Sequence, residues 1–193
     1  MRHEVRGPRS LRESTRKPNL ASELDMLAPS FRVAVRAAAI AYQRIGVRAA
    51  LIGGLAAGAY GRPRATKDID FLVGDEAWTK TGVILSARAG APQSACGIPV
   101  DSVPLPIEYR EMYEAALDDA IDSDEPEVRI LRPEMVAVTK LVGGRSKDMA
   151  AIVDMMQAES IDLDKLAGIV KAYPRLRDAY DRARSEWQRG DGK

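Results

Sequence analysis

The spacing of apolar positions along the chain changes character near residue 131. Before this point, short apolar runs of strand length alternate with segments of helical spacing, whereas after it the helical spacing continues almost to the end. The pattern therefore predicts an α/β (α+β) first part followed by a helical C-terminal part. The predicted strands are 47–52, 67–73, 98–103 and 127–131, and the predicted helices are 31–44, 55–60, 76–89, 111–120, 134–142, 148–157, 163–172 and 174–187.

Three segments follow from this pattern. Residues 1–28 lack sustained periodicity and carry six Arg or Lys against two Glu within residues 1–20, which predicts a basic N-terminal arm. Ser30 is a good N-cap for the first helix, and Pro133 suits the first turn of the later ones. We expect the α/β core to span 29–131 and the helical part to span 132–193.

Composition narrows the class of protein without naming its chemistry. The chain has 193 residues, of which 46% are hydrophobic and 30% charged, so it can bury a real core. Its net charge of +1 gives no global attraction to nucleic acid or to an anionic membrane. The single Cys96 excludes an internal disulfide, and neither a secretory signal nor a membrane-spanning run is seen. These features predict a cytoplasmic protein.

Histidine limits the chemistry further. The only histidine is His3, inside the basic arm. Ser-His-Asp triads, Cys-His pairs and His-ligated zinc sites all need a well-placed imidazole. Any catalysis must therefore rest on carboxylates, Lys, Arg, Ser, Thr or Tyr.

A pair of carboxylates lies on one predicted strand. Asp68 and Asp70 share a face because side chains alternate along a strand, and their Cα atoms are then roughly 6–7 Å apart. Two like charges at that separation are unfavourable, and a divalent cation removes the conflict. Oxygen-only ligands favour Mg²⁺ or Mn²⁺. The alternative is an ordinary solvated strand face.

A glycine pair precedes these carboxylates. Gly53 and Gly54 follow an apolar strand and come before a short Ala-rich helix. This arrangement is typical of turns that point backbone N–H groups at a phosphate, although a simple tight turn has the same pattern. The basic turn after that helix, with Arg62, Arg64 and Lys67, could hold a phosphate or an RNA backbone or could simply be solvated.

Together the two motifs resemble the nucleotidyltransferase superfamily of the DNA polymerase β type. Ile52-Gly53-Gly54 is followed by thirteen residues and then by Asp68-Ile69-Asp70-Phe71, which is the superfamily's signature. The resemblance implies a nucleotidyltransferase fold with a small mixed sheet flanked by helices. It also implies that Asp68 and Asp70 are catalytic and bind Mg²⁺ or Mn²⁺. Asp101, on the predicted strand 98–103, is the candidate third carboxylate, with a surface Asp at a strand end as the alternative.

A second segment lies between two predicted helices. Lys140, Leu141, Arg145, Lys147 and Asp148 are similar to a motif of the nucleotidyltransferase-type toxins of abortive-infection (type IV toxin–antitoxin) systems and their uncharacterised relatives. Many relatives carry a second Asp three residues after the Lys-Asp pair, where this chain has Ala151. The resemblance implies a triphosphate bound by Gly53, Gly54 and the cations. The cations are Lys140, Arg145 and Lys147, and the alternative is an ordinary charged corner between two helices.

The sequence thus favours transfer of a nucleoside monophosphate from an NTP to an acceptor hydroxyl on RNA, tRNA or protein. By the same resemblance the chain would be a toxin with a cognate antitoxin. One alternative is an inactive member of the same fold that binds a nucleotide or a partner protein, and a second is a metal-dependent sugar transferase. In the active version, Asp101 must lie close to both Asp68 and Asp70.

Overall fold

A six-stranded mixed sheet forms the centre of the computed structural model, which describes residues 18–81 and 84–190. The strands are β1 (Ala49–Leu51), β2 (Ile69–Val73), β3 (Trp78–Thr81), β4 (Ile84–Ala87), β5 (Ser94–Ala95), β6 (Ile98–Val103), β7 (Ile121–Asp122) and β8 (Arg129–Ile130). Their order in the sheet is β5-β6-β2-β1-β8-β7, and β3 and β4 pair separately as a hairpin. The architecture is α+β, as the sequence predicts.

Helices pack against the sheet and also make up most of the chain after residue 132. They are α1 (Leu20–Asp25), α2 (Pro29–Arg44), α3 (Gly53–Tyr60), α4 (Arg110–Asp118), α5 (Pro133–Gly143), α6 (Ser146–Gln157), α7 (Leu163–Ala172) and α8 (Arg177–Gly190). Short 3₁₀ turns occupy Asp75–Ala77, Ile107–Tyr109 and Pro174–Leu176. Across the described ranges, none of the helices is both long and apolar enough to cross a bilayer.

The pairing of β2 sets the geometry of the site. β2 runs antiparallel to β1 and parallel to β6, with Asp70 directly opposite Asp101. The Ile52 N–H donates to the Asp70 carbonyl at 2.9 Å, so the glycine turn begins beside that residue. Ile69 and Phe71 are buried on one face of β2 and Leu72 is buried on the other, as expected of a central strand covered on both faces.

Helix α3 joins the sheet to the helical part. Its sequence GGLAAGAY has small side chains, and all its residues except Gly54 are buried. Small residues let α1, α5 and α6 approach its backbone closely. The Tyr60 hydroxyl then donates to the Leu131 carbonyl at 2.9 Å, which ties the end of α3 to the start of the helical part.

Most predicted elements lie where the sequence places them, but the helix predicted for 76–89 is wrong. The chain instead forms a 3₁₀ turn and then the β3–β4 hairpin. Trp78 and Thr79 help to explain the difference, because aromatic and β-branched side chains lose rotamer freedom in a helix and suit a strand.

A second difference concerns the predicted basic arm. Helix α1 lies within it, capped by the Asn19 side chain, and buries Leu20 and Leu24 in the core. The arm's basic residues up to Lys17, and His3, lie outside the described residues. The division of the chain at 28 and 131 stays a prediction.

Candidate metal and phosphate site

Three carboxylates converge on one face of the sheet. Asp68, Asp70 and Asp101 each place one oxygen so that the three atoms lie within 4.8 Å of one another. The parallel β2–β6 register brings Asp101 beside Asp70, and Asp68 lies just before β2. Asp68 and Asp70 are half-buried, while Asp101 is exposed. The expected closeness of Asp101 to both partners is therefore confirmed, while the catalytic roles stay a prediction.

The negative charges of the three carboxylates lie close together and repel one another. Burial raises the pKa of Asp70, and the nearby charges of Asp68 and Asp101 raise it further. Lys140 and a hydrogen bond from the Gly54 N–H oppose that shift without cancelling it. Such a set of oxygen atoms, close together and short of positive charge, fits a hard divalent cation.

The glycine turn is shaped around Asp70. Gly53 has φ +72°, and a Cβ atom there would lie 1.8 Å from the Asp70 Oδ2 atom. A Cβ on Gly54 would lie 3.1 Å from the Thr66 hydroxyl, which itself contacts Asp68 Oδ1 at 2.9 Å. Both glycines thus leave room for the carboxylates. Their predicted contact with a phosphate stays a prediction.

A polar cavity of about 360 Å³ opens over the carboxylates. Gly54 lies in its lining, and so do all three cations predicted to bind phosphate, Lys140, Arg145 and Lys147. Arg64 lines it too, whereas Gly53 lines a neighbouring cavity. The two segments that the sequence singles out, about seventy residues apart, therefore face one another across one cleft.

Asp148 is a part of the cleft to which the sequence analysis gave no role. Its side chain is 1% exposed and lies 2.7 Å from Arg145 Nε and 3.4 Å from Lys140 Nζ. Burial alone would raise the pKa of Asp148, but Arg145 and Lys140 together hold it below its usual value. Asp148 also accepts from the Arg145 N–H in a capping box that starts α6. Asp148 thus fixes both cations. The signal for such a role in the sequence was the Lys147-Asp148 pair at a predicted helix start.

The basic residues of the turn before β2 differ in their contacts. Arg64 forms an ion pair with Asp154, and Arg62 lies 3.9 Å from the same carboxylate. Lys67 is not among the residues that line the cleft. Ala151, one turn before Asp154 on α6, lies in the lining and brings no charge to it.

Comparison with known proteins adds little to this geometry. No protein-family model matches the chain, and no curated protein matches it. Among solved structures, it is similar to the crystal structure of an antigenic nucleotidyltransferase-like protein from Paracoccidioides brasiliensis. The alignment covers 79% of this chain and 92% of that one, with 17% identity and a TM-score of 0.43. A likeness of this degree carries no argument about activity.

Proposed function

We propose that this protein is a metal-dependent nucleotidyltransferase that moves a nucleoside monophosphate from an NTP to an acceptor hydroxyl. The observation that supports the proposal most is the meeting of three carboxylate oxygens within 4.8 Å at the floor of a cation-lined cleft. A solvated strand face would need neither the convergence of Asp101 nor the opposed cations.

The donor set fits Mg²⁺ or Mn²⁺, which Asp68, Asp70 and Asp101 would hold. A divalent cation there would supply Lewis-acid stabilisation of charge on the reacting phosphate oxygens. Lys140, Arg145 and Lys147 would neutralise the rest of the triphosphate. Asp101 is the most exposed of the three carboxylates, which supports the proposal that it receives the proton of the acceptor hydroxyl.

The acceptor in this proposal is RNA, in particular the end of a tRNA, with a protein hydroxyl as the other class. Arg62 is exposed and lies 3.9 Å from Asp154, the ion-pair partner of the cleft residue Arg64, so it is available to contact a nucleic-acid backbone. We extend the proposal to the toxin role, in which a cognate antitoxin would restrain the activity. The RNA acceptor and the toxin role rest on the resemblance of the segment from Lys140 to Asp148 and not on the geometry of the cleft.

A second candidate is a protein of the same fold that binds a nucleotide without transferring it. Ala151 favours this version, because the cleft lacks a carboxylate at the position where many relatives have one. The two versions agree on binding and differ in turnover, so pyrophosphate release with acceptor RNA separates them.

The test is calorimetric binding of each NTP in Mg²⁺. The wild type is compared with D68N/D70N and with D178N/D181N, a control pair of exposed carboxylates on α8. We expect Mg²⁺-dependent binding in the wild type and in the control and at least a tenfold loss in D68N/D70N, about 1.4 kcal/mol or more. Binding of equal strength in all three proteins, or in none, would contradict the proposal.

A further inference from the structure

A second cavity adjoins the cleft on the far side of Asp70. It has a volume of about 240 Å³, and we call it the side chamber. Asp70, Lys140, Arg145 and Asp148 line both cavities, so the two spaces meet at these side chains. The other walls of the side chamber are largely apolar. They include Ile52, Val103, Pro106, Tyr113 and Val142.

We propose that the side chamber binds the nucleobase of the NTP, an inference that rests on the function proposed above. A nucleoside triphosphate is charged at one end and carries a flat, weakly polar ring at the other. The two cavities have the same asymmetry, since the charged residues lie where the cavities meet and the apolar ones lie beyond them. A ring in the side chamber would therefore leave its triphosphate over the carboxylates.

Val142 supplies an independent observation. It is 41% exposed, one of four large apolar side chains that are exposed in the described part of the chain. It lies in the last turn of α5, just before the Gly143-Gly144 break, and lines the side chamber. Removing apolar surface from water is favourable, so a ring that covers Val142 would bind more tightly than its phosphates alone.

Tyr113 gives the side chamber a rigid wall. Its side chain is buried and its ring centroid lies 6.4 Å from that of Tyr109, which in turn packs against Tyr173 at 5.7 Å. Rings held in this way keep their position when a ligand enters, so little ordering cost is added to binding. Wall residues that are flat or branched and apolar are typical of small-molecule pockets with a few charged groups at one end.

The experiment compares the four NTPs with inorganic tripolyphosphate, all in Mg²⁺, by calorimetry. Val142→Trp would fill the side chamber from its exposed side, and Val142 is not among the residues that line the cleft over Asp68 and Asp101. Val33→Trp on α2, also at an exposed valine, is the matched control. Thermal unfolding of each variant checks that the fold is kept.

We expect the wild type to bind at least one NTP about tenfold or more tightly than tripolyphosphate. Val142→Trp should reduce that NTP to the affinity of tripolyphosphate and leave tripolyphosphate itself within about twofold, and Val33→Trp should change neither. Equal affinities of NTP and tripolyphosphate in the wild type would overturn the inference while sparing the proposed function. So would an equal loss of both ligands in Val142→Trp.

Two other outcomes would each show that the inference is wrong. If neither NTP nor tripolyphosphate binds the wild type, the proposed function falls and the inference falls with it. If NTP affinity is untouched by Val142→Trp while a short oligoribonucleotide binds less tightly, the side chamber holds a base of the acceptor, and the inference is wrong.

Discussion

Gly53 lies so close to Asp70 that no side chain fits on Gly53 while the Asp70 carboxylate keeps its position. The carboxylate lies where a side chain on Gly53 would begin, and the next residue, Gly54, donates its N–H to the same carboxylate. The positive φ of Gly53 adds a second reason for glycine, since other residues are strained there. The glycine turn is thus part of the carboxylate cluster in a physical sense.

Gly53→Ala should therefore abolish metal binding as well as destabilise the fold. Gly46→Ala is the matched control, since Gly46 has φ +67° but open space around its missing Cβ. Both variants should lose about 1–2 kcal/mol from backbone strain. Only Gly53→Ala should displace Asp70 and lose Mn²⁺ binding. Calorimetry measures the Mn²⁺ affinity of both variants. Retained Mn²⁺ affinity in Gly53→Ala would show that the turn tolerates a side chain after all.

Residues differ in how far the sequence predicts their roles. Asp68 and Asp70 were predictable because their spacing within one strand fixes their shared face. Asp101 needed an assumption about which strand lies beside β2, and the β2–β6 register bears it out. The role of Asp148 was not predictable, because its contact with Lys140 depends on how α5 and α6 pack.

Among the elements, α1 and the β3–β4 hairpin show the limits of periodicity. A helix of six residues is too short to display a repeat of 3.6, so α1 was hidden within a polar segment. The hairpin contains a few apolar residues that fit either spacing, and only aromatic and β-branched residues such as Trp78 and Thr79 favoured strands. Longer elements such as α2 and α5 were predicted to within two residues.

Helix α1 should contribute measurably to stability although it lies in a segment of unremarkable sequence. Leu24 is 2% exposed and packs into the core, whereas Met26 at the end of the same helix is 72% exposed. Leu24→Ala should lower the free energy of unfolding by about 2–5 kcal/mol, because it removes buried methyl groups and leaves a cavity.

Met26→Ala is the control and should change the free energy of unfolding by less than about 0.5 kcal/mol. Urea unfolding measures both variants. Equal, small effects would mean that α1 does not pack on the core in solution.

At the scale of the whole molecule, the cleft is an arrangement of paired charges between the sheet and the helical part. Asp148 holds Arg145 and Lys140, and Asp154 holds Arg64. These pairs join α6 to α5 and to the loop before β2. Lys140, Arg145 and Arg64 are therefore already held in place in the lining of the cleft before a ligand arrives, which lowers the cost of ordering them.

The pairing of Asp148 should appear in the pH dependence of stability. Its pKa is lowered in the folded protein, so its contribution is present above the ordinary Asp value of about 3.9 and is lost as pH falls through the folded pKa. Asp148→Asn in EDTA should cost about 1–3 kcal/mol at pH 7, because a buried, charge-assisted contact is removed. The gap between wild type and variant should be constant down to about pH 5 and shrink below pH 4.

Asp119→Asn breaks an exposed ion pair with Arg132 and serves as the control. Its effect should be small at every pH, since exposed pairs contribute little. Thermal unfolding across the pH range measures all three proteins. A gap for Asp148→Asn that does not narrow in acid would contradict the assigned charge state.

The order of the strands in the sheet has a consequence for how the protein folds during its synthesis. Leu51 pairs with Ile130, and Asp70 pairs with Asp101, so the strands that build the cleft are far apart in the chain. Contacts of this range are slow to form compared with those within helices. A nascent chain that ends before Asp148 would already contain all three carboxylates yet lack the residue that orients Lys140 and Arg145. The complete cleft therefore becomes available only after α6 has been translated and has folded against α3 and α5.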